Sequence, residues 1–152
     1  MIRPDVDDVL ASVIDTFDRY IAPEVHDEYA ASLCLTVSQL LRSVRVRVAV
    51  EGAALHEDNQ ELRQLLVSLH DEVPPSLGAQ IDQVVGASTA GDYVGVVRLQ
   101  DDATALRAVL VACIDVIPDV EHPARRAIRT YLQHQLERQQ PWLVDAFTGD
   151  RR

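Results

Sequence analysis

The sequence predicts an all-α fold, a single-domain bundle of about five to seven helices with a long central second helix. Three observations carry that expectation. Apolar residues recur at i, i+3, i+4 and i+7 through most of the chain. One apolar stripe also runs without a phase break through SVRVRVAVEG (43–52), whose alternating valines taken alone would spell a half-buried strand. Proline and glycine punctuate the periodic segments at helical lengths.

Pro4 and Asp5 open the first helix, in which Val6, Val9, Leu10, Val13, Ile14, Phe17 and Ile21 share one face, while Asp7, Asp8, Asp15, Asp18 and Arg19 take the other. Pro23 ends it. From Glu24 the acids Glu24, Asp27 and Glu28 suit the positive end of a helix dipole. At about 100° per residue, Tyr29, Ala30, Leu33, Val37, Leu40, Leu41, Val44 and Val48 then gather into one stripe. Leu35, Val46 and Val50 fall on the opposite side. The alternation therefore has a helical explanation, with valines 44 and 48 on one face and 46 and 50 on the other.

Gly52 is expected to end this helix. Asp58, with Glu61 three residues later, reads as a capping box that opens a third, with Leu62, Leu65, Leu66, Leu69 and Val73 inward and Pro74 and Pro75 as its stop. Leu77, Ile81, Val84 and Val85 fit a short helix, and 86–92 reads as an internal loop. A further helix over 93–117 uses Leu106, Val109, Leu110, Cys113 and Ile117, with Asp115 outward. Another over 122–139 uses Ala124, Ile128, Tyr131, Leu132 and Leu136. Pro141 then starts a last short segment, PWLVDAF.

A chain of 152 residues with 47% apolar content supports one domain, 1–152. Its basic residues are all arginine and alanine and valine are abundant, a composition expected of high-GC bacterial coding. The net charge of -10 disfavours nucleic acid and anionic membranes. A basic island, Arg125, Arg126, Arg129 and Arg138, is the one exception, and no helix-turn-helix pattern accompanies it. No segment is apolar for long enough to span a membrane, and the N-terminus lacks the order of a signal peptide, so cytoplasmic residence is expected. Cys34 and Cys113 sit in apolar runs and are expected to be buried thiols.

Three histidines precede paired acids, at 26–28, 56–58 and 70–72. Adjacent helical side chains diverge by about 100° and His56 and His70 would stand roughly 21 Å apart on one helix, so no metal site is expected, and no cofactor is implied. Glycine-rich phosphate loops, the GxSxG elbow and an activated cysteine are absent from the sequence. Glu51 lands on the main stripe with Arg47 one turn back. Together with Tyr29, Tyr131 and Gln135 it could line a polar ligand pocket. Leu35, Val46, Val50, Trp142 and Phe147 are the candidate interaction residues. The expected function is a non-catalytic interaction protein, self-associating as a homodimer or partnering a larger enzyme. The alternative is a small-molecule-binding bundle with a pocket near Glu51 and Arg47.

Overall fold

The computed structural model describes residues 4–87 and 94–147, with side chains up to residue 140. Five α-helices follow one another, α1 (Val6–Thr16), α2 (Glu28–Leu69), α3 (Pro75–Gly86), α4 (Val96–Val116) and α5 (Pro123–Phe147), and no strand occurs among the described residues. The fold is all-α with a long second helix, as the periodicity requires. Among the described residues no helix is long and apolar enough to cross a membrane.

Local chemistry sets most of the helix ends. Asp5 caps α1: its Oδ1 accepts from the Asp8 N–H at 2.9 Å while the Asp8 carboxylate accepts from the Asp5 N–H. The helix then widens into a π-helical turn over Phe17–Ile21 and tightens into a 3-10 turn at Ala22–Glu24, where Pro23 has no N–H to continue the ladder. The chain is extended at Val25, so α2 begins at Glu28 and not at Glu24. Asp27 is its cap, accepting from the Ala30 N–H at 2.8 Å.

Residues 43–51 are helical, and α2 continues through Gly52 and Asp58 to Leu69. The second and third helices expected from the sequence are therefore one helix of 42 residues. A single helical glycine costs about 1 kcal/mol, and the good helix formers Ala53, Ala54 and Leu55 that follow it carry the helix on. Asp58 does not cap anything: it sits in mid-helix and is buried. A short turn over His70–Glu72 and an extended Val73 precede Pro75, which occupies the first turn of α3, where its missing N–H costs nothing. The backbone of α5 stays helical through Pro141, so the separate last segment is absent. The side chains of Trp142 and Phe147 and most of the expected 86–92 loop lie outside the described residues.

The chain divides into two compact units, residues 1–51 with 139–152, and residues 52–138. The second unit has a continuous core. Leu62, Leu65, Leu66 and Leu69 of α2 meet Leu77 and Ile81 of α3, Leu106, Leu110 and Cys113 of α4, and Ala124, Ile128 and Tyr131 of α5. The helical spacing selects these positions, although Leu132 and Leu136 of α5, expected on the same face, are exposed; burying each large side chain contributes about 1.5–3 kcal/mol. Asp115 is exposed, as its place opposite that stripe requires.

The first unit is built differently. Among its described residues only Ile14 and Ser38 are buried. Its α1 is tied to α2 by ion pairs, Arg42 to Asp18 at 2.6 Å and Arg45 to Asp7 through two bonds of 2.6 and 2.8 Å. Exposed pairs of this kind are screened by solvent and contribute little to stability.

Candidate functional site

The helical phase of α2 is the starting point. Leu62, Leu66 and Leu69, on the stripe that runs the length of this helix, are 0%, 0% and 1% exposed. In its first half Leu33, Leu40, Val44 and Val48 are 47%, 60%, 46% and 55% exposed, and Val37 is exposed with them. The sequence reading gathers Tyr29 to Val48 into one apolar stripe of this helix. The residues of 33–48 form the expected helix face but are not covered within the described chain. Local periodicity encodes which face is apolar, and leaves open which chain covers it.

The opposite side of the same segment borders a groove of about 480 Å³ between α1 and α2, floored by Ile14, Val46, Ala49 and Val50 and rimmed by Asp7, Arg42 and Arg45. The Arg45 guanidinium, hydrogen-bonded to Asp7, holds that carboxyl below its usual range. Val46 is half-buried here, while Val50 and Leu35 are exposed.

The five residues expected to line a polar pocket fall into separate groups. Arg47 and Glu51 pair with each other, Nη2 to Oε1 at 2.7 Å and Nε to Oε2 at 3.1 Å. Because α2 does not end at Gly52, Glu51 keeps its place on the helix and its side chain is 15% exposed. Burial of the pair is outweighed by the hydrogen bond to Glu51, which raises the Arg47 pKa. Tyr29 is exposed, and neither Arg47 nor Glu51 lines the groove. Tyr131 and Gln135 belong to a cluster in the second unit.

That cluster is centred on Asp58, which sequence reasoning places at a helix start. Its carboxylate is buried and receives Arg107 Nη2 at 2.7 Å, Arg138 Nη1 at 3.1 Å and the Tyr131 hydroxyl, which donates to Oδ2 at 3.2 Å. The Gln135 amide oxygen, in the orientation that satisfies both ends of the amide, accepts from Arg107 Nε at 3.0 Å. Arg138 also bridges to Glu61, whose other oxygen meets His134 Nδ1 at 2.7 Å. Burial would push the Glu61 carboxyl up, but the hydrogen bonds from Arg138 and His134 prevail and lower it. Burial and the neighbouring Asp58 charge push the Tyr131 phenol up to about 12. Asn59, also buried, donates from Nδ2 to the Leu99 carbonyl at 2.8 Å, and Arg63 meets Asp102 at 2.7 Å.

Chemically this is a polar network built round a buried carboxylate. The Asp58 charge is matched by two guanidiniums, and Tyr131 stays protonated at neutral pH. Its geometry fixes the register of α2 against α4 and α5. The signal that locates it is phase: Asp58 lies three residues beyond Leu55 and four before Leu62, on the apolar stripe, where a carboxylate must find cations.

The basic island is engaged at its own helix start and in this network. Arg125 donates to the Ile114 carbonyl, Arg126 to that of Glu121, Arg129 to that of Val120 at 2.8 Å, and Arg138 to Asp58. His56 pairs with Gln60 and His70 with Asp71 and Asp82, and among the described residues no three His, Cys, Asp or Glu side chains are grouped to hold a metal. Cys34 and Cys113 are free thiols, and burial pushes the Cys113 thiol up. A scan against protein-family models, a search of curated proteins and a search of solved structures each returned no match to this chain.

Proposed function

We propose that the protein is a non-catalytic helical interaction protein of the cytoplasm, in which the first half of α2 presents the binding face and the second unit is its folded support. One observation carries this reading. Among the described residues a single helix stripe is buried at Leu62, Leu66 and Leu69 and exposed at Leu33, Val37, Leu40, Val44 and Val48. A contiguous apolar face of this kind on a folded helix marks a site where another protein packs.

The test is affinity purification from the producing cells with three versions of the full chain: unmodified, Leu40→Asp, and Val111→Asp as a control on an exposed site of α4. A protein, whether a second copy or another chain, should accompany the unmodified and Val111→Asp forms in stoichiometric amount and be lost from Leu40→Asp. The same recovery from all three contradicts the reading. A second reading, a small-molecule-binding bundle, is favoured by the α1–α2 groove, whose volume is within the usual range for ligand sites. A ligand screen by thermal shift tests it, with Val46→Trp filling the groove; a stabilising ligand whose effect Val46→Trp abolishes supports it, and no stabilising ligand counts against it.

A further inference from the structure

Resting on the interaction reading above, we infer that the occupant of the uncovered α2 stripe is a second copy of this chain, packed helix to helix over residues 30–44. The first argument is the residue choice. Ala30, Leu33, Val37, Leu40 and Val44 follow a strict three-four spacing, so that β-branched valine alternates with leucine along the seam. That alternation is the one that suits two helices and not three or four. At 1.5 Å per residue the seam is about 21 Å long, and Leu40, 60% exposed, stands near its middle.

The second argument is charge. The chain carries a net charge of -10, so two copies repel over most of their surface. Between Glu28 and Glu51 there is no acidic residue, the longest acid-free run in the sequence. Its three arginines are already matched within the chain, Arg42 by Asp18, Arg45 by Asp7 and Arg47 by Glu51. Two copies can therefore meet along this segment without bringing like charges together. The positions that flank the seam, Cys34, Thr36, Leu41 and Ser43, are uncharged. Flanking charges are what direct a helix seam toward a different partner, and this seam carries none that would oppose pairing with its own copy.

The test is sedimentation of the purified full chain from about 1 µM to about 1 mM, a range that brackets a moderate dimer affinity. The unmodified chain should be dimeric at the upper end and dissociate on dilution. Leu40→Asp, checked by circular dichroism for unchanged helix content, should weaken the dimer by about a hundredfold or more, since each dimer buries the new carboxylate twice. Because Leu40 lies near the two-fold axis, Leu40→Cys in a Cys34→Ser background should give a covalent dimer under mild oxidation. This second variant does not depend on the folding of Leu40→Asp. A chain that stays monomeric throughout, or a dimer indifferent to Leu40→Asp with no covalent dimer from Leu40→Cys, overturns the inference. If the chain is monomeric yet a different protein is lost from Leu40→Asp in the affinity purification, self-pairing falls and the interaction reading stands. If nothing is lost there, both fall.

Discussion

Asp58 shows how one residue's meaning depends on helical phase. Removing it leaves Arg107 and Arg138 facing each other without their shared anion and Tyr131 without its acceptor. Asp58→Ala should destabilise the protein by about 2–4 kcal/mol, read as a lowered midpoint in urea, and Asp58→Asn should cost less because it keeps an acceptor. Tyr131 supplies a pH test. Its folded-state pKa is raised from 10.0 to about 12, so its contribution to stability is complete below pH 10 and is lost as pH rises toward 12. The chain has no lysine, leaving tyrosine and cysteine as the side chains that titrate in that window. Tyr131→Phe should therefore flatten the alkaline fall in stability; an unchanged slope would remove Asp58 and burial as its cause.

Among the elements, α2 was the most legible and the most misread. Helical phase correctly places 43–51 on a helix despite the alternating valines, because both valine pairs land on distinct helix faces. The same local signals misplace its ends. Glycine, and aspartate followed three residues later by glutamate, mark helix termini in many proteins, and these local signals carry nothing of the partners Arg107 and Arg138 that hold Asp58 inside the helix. Gly52 is then a removable weakness. A Cβ there would meet Val96 Cγ2 at 3.6 Å, ordinary contact distance, so Gly52→Ala should stabilise the protein by up to about 1 kcal/mol. A loss of stability would mean that α2 is interrupted at this point. The pairing of Arg47 with Glu51 was also legible, since their four-residue spacing puts them on adjacent turns. The groups that meet Tyr131 and Gln135 were not, because they come from α2 and α4, far away in the sequence.

At the scale of the whole molecule the two units differ in what holds them. The second has a leucine-rich core supported by the Asp58 network, while the described residues of the first are held by exposed ion pairs and one buried isoleucine. Sequence periodicity treats both alike, because an apolar stripe looks the same whether its partner is the same chain or another. Hydrogen exchange read residue by residue at several protein concentrations separates the two cases. Slow exchange at Leu62–Leu69, Leu106–Cys113 and Ile128–Tyr131 at every concentration, with exchange over 30–48 that accelerates as the protein is diluted, is the result expected of a stripe covered by a second copy. Exchange over 30–48 as slow as in the second unit's core, and unchanged by dilution, would show that this stripe is already covered within the chain and would contradict the proposed binding face.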